Sequence, residues 1–366
     1  MKSFFYFSAA VVAAASLIAC QSKVVENTET IRHFTLDDFE TVNLNVDNAE
    51  PVSDDDMILG YPKQIEMLDD NIMAIHDANN DKSIWFLNTT DGRYSNCMTK
   101  GEGPLESLGI SNTYINDGKL YVAPARDKKF FEISVDRNSL EPTIKHVASG
   151  LDDMYKSMLL ADDEVVYAPF FADSVRFLRA MLDGVATDTI GNFYFMTGDD
   201  EFVPRNNLAQ MNVAISADRN SLVAANLEWN AIEIYDLAHN NETMLLGPID
   251  IDTKVVKREL PIGITYTKKP RWEMFLNPAI SAEGFTVGYN GIKIESSDDL
   301  GKGFSNILSF TLDGQPTKRL VLSESINCYT IDPETMILYF VSNGEDPVIK
   351  KIALPISYKE LVTPTH

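Results

Sequence analysis

"DDNIMAIHDANNDKSIWFLNTTDG", Asp69–Gly92, holds two short apolar runs, Asn71–Asp77 and Ser83–Asn88, separated and bounded by Asp, Asn, Thr and Gly. Branched and aromatic residues in short runs closed by Asp-Gly read as antiparallel strands, because Asp-Gly adopts the positive φ angles of a two-residue hairpin. The same pair recurs along the chain. First runs are "KLYVAP" from Lys119, "EVVYAP" from Glu164, "SLVAAN" from Ser221, "GFTVGY" from Gly284 and "MILYFV" from Met336. Their partners are "KFFEIS" from Lys129, "VRFLRA" from Val175, "AIEIYD" from Ala231, "ILSFTL" from Ile307 and "VIKKIA" from Val348. The start-to-start offsets are 12, 10, 11, 10, 23 and 12, so only the fifth unit departs from a common spacing.

Turns agree with this reading. Asp91-Gly92, Asp183-Gly184 and Asp313-Gly314 each close a second run, and polar turns such as "NDGK" before Leu120 precede the first runs. Each unit is therefore expected to be four antiparallel strands, a to d. Six such units predict an all-β, six-bladed β-propeller, since radial repetition protects sheet edges. A pair of β-sandwiches is the rival arrangement, and the even spacing argues against it. No outer strand follows "IKKIALP" in the last unit. "FETVNLNV", Phe39–Val46, alternates like a strand and is expected to pair with blade six, closing the ring with an N-terminal strand.

Residues 1–19 have one basic residue, Lys2, and an apolar run from Phe4 to Ala19, as a secretory signal does. Leu17-Ile18-Ala19-Cys20 resembles a bacterial lipobox, which predicts cleavage before Cys20 and lipidation of its thiol. An ordinary signal peptide with an incidental cysteine is the alternative. The polar stretch 20–36 is read as a flexible tether and 37–366 as the propeller. The chain is then expected to sit in the cell envelope, lipid-anchored to the outer membrane, with its face of that membrane undecided. A formal charge of -23 excludes nucleic-acid binding, which needs clustered cations, and favours a soluble monomer. Cys97 and Cys328 are expected to be separate buried thiols, although an exported protein could bridge them.

Lipobox, tether, "ILGYPKQIEMLDDNIMAIHD" and "GRYSNCMTKGEGPLE" together resemble the TolB-like six-bladed propeller lipoproteins. That family carries a Gly-x-Gly-Pro-Gly-Glu loop after its first blade. Gly101, Gly103, Pro104 and Glu106 match it, and Leu105 stands where glycine is usual. The resemblance spans the mature chain and implies fold and envelope location, with little about activity.

The glycine loop is expected to be structural. A phosphate loop needs Lys and Ser/Thr after its last glycine, and "GPLE" supplies neither. The stretch joins strand d of one blade to strand a of the next, where glycine lets the chain turn and proline stiffens it. No zinc, thiol or nucleophile motif occurs, and the five histidines lack ligand spacing, so neither a metal nor another cofactor is expected. "DANNDK", Asp77–Lys82, has calcium-like alternation but no glycine at its sixth position.

By strand parity, the b→c and d→a connections share one face, here called upper. The predicted site lies there: Arg126, Lys128 and Lys129 of blade two, Trp229 of blade four, and Lys268, Lys269, Arg271 and Trp272 before blade five. Cations and indoles on long loops suit a polar ligand, and the leading expectation is a non-enzymatic binding or scaffold module for a protein, peptide or glycan. The alternative is a hydrolase or lactonase with a metal at the axis, held by Glu66, Asn212, Asn277 and Asn327 from the a strands.

Overall fold

The computed structural model describes residues 29–53, 56–125, 128–170, 175–193, 196, 205–260, 263–296, 299 and 301–364. The expected repeat is present in all six places. The innermost strands are Pro62–Met67, Ile110–Asn116, Met154–Leu159, Met211–Ile215, Arg271–Ile280 and the second half of Pro316–Asp332. Each lies beside the next in that order, and the last lies beside the first, so the blades form a closed ring. Blades one to three are separate four-stranded antiparallel sheets. Blades five and six share one sheet, because Pro316–Asp332 is both the outer strand of the fifth and the inner strand of the sixth. The runs alternate little in burial because both faces of a blade pack on neighbours; Ile72–Asp77 is buried at every position.

The ring closes through the N-terminal region, but at residues other than Phe39–Val46. Glu40–Leu44 runs parallel to the outer strand of blade five, from Glu40 opposite Lys318 to Leu44 opposite Leu322. Its apolar side, Val42, Leu44 and Val46, joins the cluster of Leu320, Leu322 and Leu354. The chain then crosses, and Glu50–Pro51 adds the outer strand of blade six, with Pro51 opposite Lys350. Alternation marks a strand and carries no label for the edge it will choose.

The tether assignment to 20–36 also needs correction at its end. Glu29–His33 pairs parallel with the outer strand of blade four, Asn241–Leu246. Phe34 follows, 4% exposed, with edge contacts to Phe39 and Phe310 at ring-centroid distances of 5.9 and 5.3 Å. The segment reads as polar because this edge strand is held by backbone bonds and leaves Ile31 exposed. Cys20 and the leader lie outside the described residues. Cys97 and Cys328 are free and buried, and burial pushes the Cys97 thiol up to about 12.

Between blades three and four the interior is ionic. Arg176 and Glu233 are fully buried and paired in a fork, with Nε to Oε2 and Nη2 to Oε1 both at 2.8 Å. The guanidinium also donates to Asn206 Oδ1, the Ala209 carbonyl and Asn226 Oδ1. Tyr235 donates to Glu233 at 2.5 Å. Gly191, at φ 71°, leaves the room this needs; a Cβ there would lie 2.5 Å from the Tyr235 hydroxyl.

The glycine loop is a self-closed turn. Gly103 N–H donates to the Glu106 carboxylate at 2.8 Å, and Glu106 folds back over both glycines. A Cβ on Gly101 would lie 2.1 Å from Glu106 Oε2. Lys129 Nζ donates to the carbonyls of Glu102, Gly103 and Glu106 at 3.1, 2.8 and 3.4 Å. The loop thus presents carbonyls to an ammonium, the opposite polarity to a phosphate cradle. Asp77, in the calcium-like stretch, accepts from the Gly60, Tyr61 and Asn79 amides and secures a turn.

Candidate functional site at the propeller axis

The inner strands share an irregularity that repeats around the ring. In five of the six, one extra residue stands unpaired against strand b: Lys63, Ser111, Tyr155, one of Asn277 and Pro278, and Asn327. Only Met211–Ile215 of blade four pairs without a shift. A bulge bends its strand and re-aims a side chain, and here the bulged residues all line the axial cavities. Asn277 adopts the left-handed conformation, φ 46°, and donates from Nδ2 to the Asn327 carbonyl at 3.1 Å.

Polar side chains tie neighbouring inner strands together just below the bulges. Gln64 donates to the Thr113 carbonyl at 3.0 Å, and Asn112 donates to the Ser157 carbonyl at 3.1 Å. Lys156 Nζ donates to the Ser111 carbonyl at 2.5 Å, and the Leu159 amide donates to the Tyr114 hydroxyl at 3.0 Å. Inner strands of different blades cannot form a ladder at this radius, so side chains supply the cross-links.

Three linked chambers follow the axis. The upper, about 280 Å³, is walled by Tyr61, Lys63, Glu228, Trp272, Glu273 and Asn327, among others. The middle, about 240 Å³, holds Glu66, His76, Asn112, Lys156, Asn212 and Thr330. The lower, about 290 Å³, opens past Tyr114, Ala217 and the C-terminal helix Tyr358–Val362. Lys63, Asn212, Leu227 and Asn277 border both upper and middle spaces, while Glu66 and Thr330 border both middle and lower ones.

Electrostatics single out the middle chamber. Glu66 keeps only a partial surface, and that surface faces the channel. Burial pushes its carboxyl up to about 7, against a lowering hydrogen bond from Gln64 at 2.7 Å to Oε1. Its Oε2 is buried without a hydrogen-bond partner. Lys156, 9% exposed, is brought down to about 8 by burial and by the charge of Lys63. Burial and the same two lysines hold His76 down at about 3, so it is neutral at physiological pH.

The predicted upper-face residues separate into two groups. Lys268, Arg271 and Trp272 come together at the upper chamber beside a hairpin, Lys254–Leu260 with Gly263–Lys269, that fills the long connection before blade five. Glu228 binds Lys268 at 3.0 Å and Arg271 at 2.9 Å. Burial raises the Glu228 carboxyl, and the two cations more than offset it. Lys268 is 7% exposed and donates to the Leu208 carbonyl, so it supports the rim from within. Lys269 is exposed. Trp229 is 3% exposed, donates to Leu208 and packs on Phe193, Met196 and Leu208, leaving no ring face for a ligand. Trp272 borders the chamber, and its indole Nε1 is buried without a partner. Lys128 pairs with Asp152 beside a groove of about 580 Å³ between blades two and three, and Lys129 caps the glycine loop. Arg126 lies outside the described residues.

Glu66, Asn212, Asn277 and Asn327 do converge on the axis, but their chemistry does not suit a cation. Two lysines line the same space as the single carboxyl, and among the described residues no cluster of three His, Cys, Asp or Glu side chains could hold a metal. Missed by sequence reasoning were Lys63 and Lys156, placed inward by a bulge and by the strand after one.

No curated protein matches the sequence. Among solved structures, a protein from Bacteroides fragilis described as exported superimposes with a TM-score of 0.51 at 13% identity, covering 88% of this chain and 98% of its own, which is a likeness of fold. The ring of six blades agrees with a family model that matches residues 41–334, and the chain belongs to the TolB-like 6-blade propeller-like family.

Proposed function

We propose that this protein is a propeller of the cell envelope, lipid-anchored to the outer membrane through Cys20, that acts as a binding module for a protein, peptide or glycan at the upper mouth of its channel. The observation that carries the reading is the buried, unpartnered Nε1 of Trp272 at a chamber also bordered by Tyr61, Lys63 and Glu273. An indole bordering the chamber suits a ligand that is flat or apolar on one side. The Lys268–Glu228–Arg271 cluster fixes the rim, so the mouth is preformed. Lipobox and leader support the anchor.

Site-specific photo-cross-linking in the producing cells tests the mouth. A photoreactive residue replacing Tyr61 is expected to give discrete adducts, and one replacing Asp117, in an a–b turn of the other face, is not. Adducts from position 117 alone would contradict the assignment. For the anchor, Cys20→Ser is expected to abolish lipid labelling and release the protein from membranes; a labelled, membrane-bound variant would refute it.

A further inference from the structure

The middle chamber is built differently from the mouth above it. Its charged side chains are Lys63, Glu66 and Lys156. Neither lysine makes an ion pair among the described residues, although Lys63 lies close enough to depress the proton affinity of both Lys156 and His76. The chain as a whole carries a formal charge of -23, yet two ammonium groups share an axial cavity with no carboxylate salt-bridged to them. Holding Lys156 at 9% exposure with one backbone carbonyl and no carboxylate costs stability, so the fold alone does not account for it.

The only carboxyl among the described residues lining the chamber does not neutralise the lysines. Glu66 Oε1 is taken by Gln64, and Oε2 is buried with no hydrogen-bond partner. A buried polar atom left open beside a polar cavity asks for a ligand or ordered water. Asn212 and Thr330 also line the chamber and supply an amide and a hydroxyl. The volume, about 240 Å³, is far above the roughly 30 Å³ share of one water and suits a compact ring.

We propose that the axial chamber binds a small hydroxylated carboxylic acid of the sugar-acid type, its carboxylate between Lys63 and Lys156 and a hydroxyl hydrogen-bonded to Glu66. Lys63 also borders the upper chamber and the lateral groove, so the anion would enter from the upper face. The site shares Lys63 with the mouth, while Glu66 and Lys156 belong to the middle chamber and not to the upper one. The acid could be free or the end of an acidic glycan; the carboxylate and neighbouring hydroxyls are common to both.

The charge arrangement also sets a pH response. Below pH 7 Glu66 is mostly protonated and Lys156 is charged, which favours an anion. As pH rises, Glu66 gains charge near 7 and Lys156 loses it near 8, so affinity falls across both steps. Three other groups facing the chamber are shifted away from this range. His76 is held down at about 3, Tyr155 is pushed up to about 12, and burial raises Tyr329 further. Asp77, behind His76, has its carboxylate bonded to backbone amides.

Calorimetric titration of the mature protein with glucuronate, glucose and propionate at pH 6 and pH 8.5 tests the proposal, with an acidic disaccharide as a further arm. Glucuronate is expected to bind, propionate at least tenfold more weakly, and glucose not measurably. Lys156→Met should weaken glucuronate at least tenfold, and the exposed Lys63→Met, which poses no folding risk, should weaken it severalfold. Glu66→Gln should retain binding and flatten the step near pH 7. A disaccharide that binds as well as the monomer would place the source at a glycan end; one that fails would point to the free acid. No heat with glucuronate at either pH, glucose binding as tightly as glucuronate, or both lysine variants binding like the parent would each overturn the proposal.

Discussion

Two polar interiors lie within one ring, and they are finished to different degrees. Between blades three and four, Arg176 meets Glu233, Asn206, Asn226 and a backbone carbonyl, and Glu233 also accepts from Tyr235. At the axis, Lys156 donates to one backbone carbonyl and Glu66 leaves an oxygen open. A low-dielectric setting strengthens a completed network and penalises an incomplete one, so the first specifies how two blades meet and the second holds capacity for something else. Chain economy explains the difference. Arg176 replaces apolar packing at a blade junction, whereas the axis is where six inner strands cannot approach closely enough to pack dry.

The comparison is broken most readily at the completed network. Glu233→Ala should destabilise by about 3–5 kcal/mol, because it leaves the Arg176 charge buried and unpaired. Urea unfolding would measure this, and a loss below about 1 kcal/mol would mean that water or rearrangement compensates Arg176 there. Glu66→Gln should show a smaller, pH-dependent effect. The Glu66 carboxyl has a higher proton affinity folded than unfolded, so the folded state binds more protons between about 4.5 and 7, and stability falls as pH rises through that window. Across that window the parent should lose about 1–3 kcal/mol relative to the glutamine variant, the lower end applying if water enters the channel. Parallel stability curves for the two proteins would show that Glu66 is solvated like a surface group.

Tyr235→Phe sharpens the comparison at smaller scale. It removes one of the bonds to Glu233 and leaves the ring, so about 1–2 kcal/mol should be lost, since the carboxylate keeps its Arg176 fork. Lys156→Met is expected to change stability least, within about 1 kcal/mol of the parent at pH 7 and in the stabilising direction. Its ammonium is harder to charge folded than unfolded, so below about pH 8 it opposes folding and the lost bond to Ser111 is offset.

Much of the architecture was legible in the residues. Pairs such as Asn71–Asp77 with Ser83–Asn88 announce a hairpin through composition, and six of them announce a ring. Which edge an N-terminal strand joins was not legible. Val42 and Leu44 fit any apolar blade edge, and the choice of blade five depends on Leu320 and Leu322 across the ring. Glu29–His33 lacks an apolar pattern because backbone bonding at an exposed edge needs none. At the candidate site, Trp272 and Arg271 were found because indoles and cations on long loops stand out. Lys63 and Lys156 were not, since a bulge shifts the inward-facing register by one residue and leaves no mark in an alternation pattern.

The account's central claim is that the axial charges are kept for a ligand and the Arg176 cluster for the fold. Lys156→Met measured twice on one preparation, by urea unfolding and by glucuronate titration at pH 6, addresses it most directly. The expected result is stability at or slightly above that of the parent together with at least a tenfold loss of glucuronate affinity. A variant that unfolds several kcal/mol more easily while binding glucuronate like the parent would contradict the claim and make Lys156 a structural residue.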